Sequence, residues 1–348
     1  MPVRNFRNLL QEQWSHGRFV CVGLDSELTR IFNPSLLRKP GRLMDAALGS
    51  GFGLDSMYTY SPAPKSSPAL PHQPSRLPRH ESNEISGLNK IPKVIEQRNS
   101  QGEVDLVGTM VAFNRAIIEA TRDLVCAYKP NSAFYEAHGY LGMKALQQTI
   151  ASIHELAPKV PVILDAKRAD IGNTNNGYVA AAFDFLKADA ITVHPYLGGA
   201  ALQPFLDRAE KGIIVLCRNS NPDSGEFQNL LVDGEPFYRV VARHVARKWN
   251  KNENCGLVVG ATFPEELSEV REIVGDMPLL IPGIGAQGGS VETTVPAARD
   301  SQGKGMIINS SRAIIFASEG VNFAEAARSE TEKLHELIKE SLLLPTSP

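Results

Sequence analysis

The chain has 348 residues, 43% of them hydrophobic, and a formal net charge of -2. That length suffices for one large core or two ordinary domains, and so small a charge offers no electrostatic case for nucleic acid or an anionic membrane as partner. No window approaches the roughly eighteen uninterrupted apolar residues of a membrane span, so none is expected.

The opening segment, MPVRNFRNLLQEQW, lacks the apolar stretch of a secretory signal, and its Leu, Phe and Trp spacing predicts a short amphipathic helix. The first apolar run follows, FVCVGLD (19–25), ending on Asp25. Residues 49–100 then break the pattern with YSPAPKSSPALPHQPSRLPRHESN, rich in Pro and Ser. Prolines remove backbone donors, and too little apolar surface is present to offset ordering entropy. This stretch reads as a flexible insertion in the first strand-to-helix loop. A helical pattern resumes in LVGTMVAFNRAIIEATRDL (106–124), so the whole chain, 1–348, reads as a single domain.

Seven more apolar runs follow: LVCAYKP (124–130), VPVILDAK (160–167), DAITVHP (189–195), GIIVLCRNS (212–220), CGLVVGAT (255–262), PLLIPGIG (278–285) and GMIINSSR (305–312). Continuous hydrophobicity without alternation is what parallel strands covered on both faces require. Helical patterns lie between them, as in GMKALQQTIASIHELA (142–157) and ATFPEELSEVREIV (261–274). Eight strands alternating with helices predict an α/β fold, a (β/α)8 TIM barrel rather than an open doubly wound sheet. Cys21, Cys126, Cys217 and Cys255 each sit inside an apolar run, with no C-x-x-C pair. They read as reduced, buried thiols of a cytoplasmic protein.

Charge intrudes where the strands end. Residues two apart on a strand share a side, so Asp165 and Lys167 project together from the end of the third strand, with Asp170 in the loop beyond. Lys129 interrupts the second strand and Asp25 ends the first. Any one of these could be a salt bridge closing the barrel top, but charges at three successive strand ends point to chemistry on the C-terminal face. Gly283, Gly285, Gly288 and Gly289 crowd the end of the seventh strand, and Arg312 follows the eighth. Close-approaching backbone amides with a planar guanidinium suit a phosphate. With no Walker loop and no metal-ligand cluster, no cofactor and no metal are expected.

LDAKRADIGNT resembles the Asp-x-Lys-x-x-Asp-Ile motif of the orotidine 5'-phosphate decarboxylase family. YKPNSAFYEAHG, VHPYLGGAAL, CRNSNPDSGEFQNL, LVVGATFPEEL, LIPGIGAQGG and IINSSRAII extend the likeness to that family's longer bacterial-type branch. The resemblance implies decarboxylation of orotidine 5'-phosphate to UMP and carbon dioxide, a step of pyrimidine (UMP) biosynthesis. It assigns Lys167 as proton donor, Asp165 to the substrate carboxylate, and Lys129 to tying the carboxylates together and touching the ribose. It gives Asp25 to a ribose hydroxyl, Ser220 to the pyrimidine edge, and Gln287 and Arg312 to the phosphate. A homodimer is implied in which Asp170 and Thr174 reach the neighbouring site. Two features depart from the branch: Ala169 and Asn175 stand where a glycine and an alanine are usual, and the insertion is extra. A related lyase acting on a sugar phosphate with magnesium, or a barrel that binds a UMP-like ligand without turnover, are the alternatives.

Overall fold

The computed structural model describes residues 4–31, 96–102, 104–285 and 288–343. In it the eight apolar runs form eight parallel strands: β1 (Val20–Gly23), β2 (Val125–Lys129), β3 (Ile163–Arg168), β4 (Ala190–Val193), β5 (Gly212–Arg218), β6 (Cys255–Val259), β7 (Leu279–Pro282) and β8 (Met306–Ser310). The longer helices are α1 (Phe6–Ser15), α2 (Leu106–Thr121), α3 (Gly139–Leu156), α4 (Gly172–Val179), α5 (Gly199–Leu206), α6 (Phe237–His244), α7 (Pro264–Val274), α8 (Val291–Ala298) and α9 (Phe323–Leu342). Most strands stop short of the apolar runs that predicted them, and the larger share of the surplus lies at the C-terminal face, where the chain leaves the ladder.

The sheet runs β2-β1-β8-β7-β6-β5-β4-β3. Its two ends meet through parallel bridges at Tyr128↔Val162 and Asn131↔Asp165, which close the barrel. Asp165 N donates to Pro130 O at 3.0 Å and Ser132 N to Asp165 O at 3.1 Å. β1, β2, β4, β6 and β8 are buried throughout, as strands walled by helices outside and side chains inside must be. Burial falls off along β3: Asp165 is buried, Ala166 half-buried and Lys167 exposed. The barrel opens there.

The N-terminal face is sealed. Asn5 caps α1 by accepting from Asn8 N at 3.0 Å, and Phe6, Leu10 and Trp14, four residues apart, put one apolar stripe against the barrel. Trp14 Nε1 donates to Met306 O at 2.8 Å, tying that stripe to the start of β8. Of the expected insertion, 49–95 lie outside the described residues; beyond them, Gln97 N donates to Thr109 Oγ1 at 2.9 Å and Asp105 caps α2. A hairpin absent from the sequence reading pairs Leu231–Val232 with Glu235–Pro236 across Asp233 (φ 53°) and Gly234 (φ 83°). Positive φ at both turn residues is the two-residue geometry that Asp-Gly favours. No described helix is long and apolar enough to cross a membrane.

One buried carboxylate locks the sealed end. Asp189 accepts from Arg4 Nε and Nη2, both at 2.8 Å, and from Val162 N at 2.9 Å, with His154 Nε2 at 3.6 Å. Burial pushes its carboxyl up, but Arg4 and His154 outweigh that and draw it from 3.8 down to about 2. A depressed carboxyl pKa stabilises the fold fully above the unfolded value and loses that contribution as pH falls toward the folded one. Asp189→Asn should therefore lower the free energy of urea unfolding by about 2 kcal/mol near neutral pH. The gap to wild type should narrow as pH drops below about 4; a gap independent of pH would sink the assignment.

Candidate active site

At the seam where β2 meets β3, two ammonium groups share one carboxylate. Lys129 Nζ donates to Asp165 Oδ2 at 2.9 Å and Lys167 Nζ to Asp165 Oδ1 at 2.6 Å. Lys129 and Asp165 are buried, whereas the Lys167 side chain is 50% exposed. Burial alone would lift the Asp165 carboxyl, but Lys129 and Lys167 hold it well below the usual carboxylate range. Burial also works against the Lys129 ammonium, and Asp165 and Asp25 together keep it above its ordinary value. Lys129, Asp165 and Lys167 thus meet, with Asp25 close enough to act on Lys129, while Asp170 stands apart from them. Asp25 Oδ1 is buried without a hydrogen-bond partner among the described residues, an acceptor facing the cluster's charge.

Thr192, on β4, was not singled out from the sequence. Its hydroxyl donates to Asp165 Oδ1 at 2.9 Å and accepts from Ala166 N and Lys167 N, both at 3.0 Å. Those amides belong to a kink: the β3–β4 register shifts between Leu164 and Arg168, and Lys167 takes φ 49°. A left-handed lysine is strained, and one threonine oxygen holds both the kink and the carboxylate. The motif's left-handed residue is therefore Lys167, and alanine at 169 is no obstacle. Nothing in a lone Thr inside DAITVHP signalled this.

A cavity of about 200 Å³ opens beside the cluster. Lys129, Asp165, Lys167 and Thr192 form its charged side, Asn219, Ser220 and Asn221 a polar wall, and Leu216, Val258, Leu280 and Pro282 an apolar floor. Ser220, expected at the pyrimidine edge, is among the lining residues. His138 and Tyr196 are not among its lining residues; Tyr196 is 84% exposed.

Asp170 and Thr174 are not among the cavity's lining residues. Asp170 Oδ1 accepts from Ile171 N at 2.7 Å, so within one chain Lys167 contacts one carboxylate, not two. Asn175, a departure from the family pattern, is fully buried: its Oδ1 accepts from Asp170 N at 2.9 Å and its Nδ2 donates to Asp170 O at 2.6 Å and Ala201 O at 2.5 Å. It pins the Asp170 loop to α5. Arg168, beside the lysine, pairs with Glu136 on the outer face.

The glycine loop expected beside a phosphate is bonded to itself. Gly283, Gly285 and Gly288, spaced as G-x-G-x-x-G directly after β7, take φ of 103°, 72° and 92°. Gly285 N donates to Gly289 O at 3.0 Å, Gly288 N to Gly285 O at 2.8 Å and Gly289 N to Gly283 O at 3.1 Å. Three amides expected to face an anion are engaged within the loop itself, because the positive φ values fold it back on its own carbonyls. Gln287 lies outside the described residues, and Arg312 is exposed at the start of the short helix Arg312–Ile315 after β8.

A parallel (β/α)8 barrel with a carboxylate clamped between lysines at its C-terminal face is an enzyme barrel. The orotidine 5'-phosphate decarboxylase / HUMPS family profile matches residues 107–327. Orotidine 5'-phosphate decarboxylase of Herpetosiphon aurantiacus is 56% identical over 220 residues, 63% of this chain and 80% of the relative. That of Ralstonia pickettii is 55% identical over 221 residues, 64% of this chain and 81% of the relative. Leishmania donovani OMP decarboxylase is a structural neighbour with a TM-score of 0.65 and 29% identity, over 95% of this chain and 99% of that one. The chain belongs to the orotidine 5'-phosphate decarboxylase / HUMPS family, as a carboxy-lyase.

Thr192→Val keeps the shape of the side chain but removes an acceptor from two amides and a donor from Asp165. Chemical denaturation should show a loss of about 1–3 kcal/mol, with Thr192→Ser much closer to wild type. Equal losses in the two variants would mean that packing, not the hydroxyl, matters.

Proposed function

We propose that the chain converts orotidine 5'-phosphate to UMP and carbon dioxide in pyrimidine biosynthesis, with Lys167 as the proton donor. The observation that carries this is the Lys129–Asp165–Lys167 array beside a cavity with an apolar floor. The bond from the ring to the carboxyl carbon breaks, carbon dioxide leaves, and the electron pair stays on ring carbon C6, where no adjacent carbonyl can delocalise it. A fixed ammonium must meet that charge as it develops. Lys167 Nζ, oriented by Asp165 and by the Thr192-held kink, then passes its proton to C6. Half-exposed, the lysine can regain a proton from water.

Asp165 adds a second effect. A substrate carboxylate about 4 Å from it is repelled by roughly 4 kcal/mol at an effective dielectric near 20, relieved as carbon dioxide departs. That falls well short of what difficult reactions require, about 8–23 kcal/mol. The remainder is assigned to the preorganised ammonium and to binding energy from the distant phosphate, with Arg312 and Gln287 as its holders. Asp25 takes a ribose hydroxyl and Ser220 the pyrimidine edge.

The active unit in this proposal is a homodimer, with Asp170 and Thr174 completing the neighbouring site. Both residues lie away from their own cavity, and apolar Ile171 next to Asp170 is 63% exposed. No cofactor enters the scheme. The cysteines, all free and buried, fit a reducing compartment, the cytoplasm.

Lys167→Ala should lower kcat at least about 10²-fold, read from the orotate absorbance, while the folded enzyme still binds UMP. Wild-type turnover in that variant would end the role given to Lys167. Mixing unfolded Lys167→Ala and Asp170→Ala chains and refolding them together should restore about a quarter of wild-type activity, since half the dimers then hold one intact site. Mixtures as inactive as their parents would refute the shared site.

A further inference from the structure

We propose that Gln228, held by Arg218, is a positioning residue that shapes the Asn219–Asn221 wall of the cavity and so governs how tightly the nucleotide is bound. The proposal rests on the decarboxylase reading for its assay, and its geometry is independent of it.

The last sheet pairing of β5 is Arg218↔Val259. Just beyond, side chains from the returning loop take over from the ladder: Asn219 N donates to Gln228 Oε1 at 2.9 Å, and Asn219 O accepts from Ser224 Oγ at 3.0 Å. Both of these side chains converge on one buried cation. Arg218 Nη1 donates to Ser224 Oγ at 2.6 Å and lies 3.4 Å from Gln228 Oε1. The guanidinium stacks on Phe263, 3.8 Å from its ring centre, and reaches Glu266 Oε1 at 3.7 Å. The other side of the wall is boxed in by Gly260, where a Cβ would come within 2.7 Å of Ser220 Cβ.

Apolar burial does little to hold this loop. Phe227 is 64% exposed, Leu230 57% and Leu231 68%. With these apolar groups in solvent, the polar clamp adds to the segment's own backbone bonds by tying it to the end of β5, and what the clamp holds is three cavity-lining residues rather than core. A buried guanidinium is costly, and packing alone would be served by an apolar residue. Its charge sets the Ser224 and Gln228 oxygens, and they set the peptide from which Ser220 and Asn221 extend. The wall meets the ring before and after carbon dioxide leaves, so loosening it weakens ground state and transition state alike.

The test compares Gln228→Leu, which removes the acceptor, with Gln228→Glu, which keeps it. Wild-type enzyme is assayed first on orotidine 5'-phosphate; absence of turnover would overturn the functional reading and this proposal with it. With active wild type, Gln228→Leu should raise KM and the Kd of UMP by about tenfold while kcat stays within about twofold. Gln228→Glu should remain near wild type, and Ser224→Ala, an independent cut in the same clamp, should follow Gln228→Leu. Unchanged KM and UMP affinity in folded Gln228→Leu and Ser224→Ala would overturn the proposal. So would equal effects of Leu and Glu at position 228, or a fall in Tm and kcat at constant KM.

Discussion

A buried carboxylate held between two ammonium groups is the interaction on which this molecule turns. Alone, the Asp165 anion could not stay charged where it is buried; Lys129 and Lys167 keep it ionised, and it in turn keeps the Lys129 ammonium charged. The place is also structural. Asp165 bridges to Asn131 at the seam that closes the barrel, so the last hydrogen bonds to join the sheet ends and the ion pairs of the site are made by the same residue. Closure of the barrel and assembly of the charged array rest on the same residue.

The two faces of the barrel divide the work. At the N-terminal face, α1 plugs the strands with Phe6, Leu10 and Trp14, and Asp189 is satisfied by Arg4 and a backbone amide. Arg271, buried nearby without a close carboxylate, donates instead to backbone oxygens of Ala298, Met277 and Gly305. Asp189 and Arg271 are thus held by ion pairs or by backbone groups, which suits stability. At the C-terminal face the register breaks, Lys167 takes a strained backbone, and Asp25 keeps an acceptor without a partner among the described residues. A strained lysine and an unmet carboxylate oxygen beside the ion pairs are what a site for chemistry requires.

Much of this was legible beforehand because apolar runs covered on both faces have few structural solutions, and because charges at successive strand ends must converge when parallel strands close into a barrel. Lys129, Asp165 and Lys167 come together for that reason. Thr192 was not legible: a hydroxyl on one strand that organises a kink on its neighbour leaves no local trace. Gln228 and Arg218 likewise act on a peptide nine and one residues away, and only the return of the loop brings them to it. The glycine loop misled in the opposite sense, since positive φ permits an anion nest and a self-bonded turn equally, and spacing does not distinguish them.

The amino-acid order by itself determined the barrel, its family and the three charges of its centre, because hydrophobic period and residue type at strand ends are local properties. Only the tertiary structure decided how those charges are held: Thr192 reaching across from β4, the left-handed turn at Lys167, Asn175 pinning the Asp170 loop, and the glycine amides turned inward. Each depends on hydrogen-bond geometry between segments distant in the chain or on the sign of a backbone angle, and neither is written in any single stretch of residues.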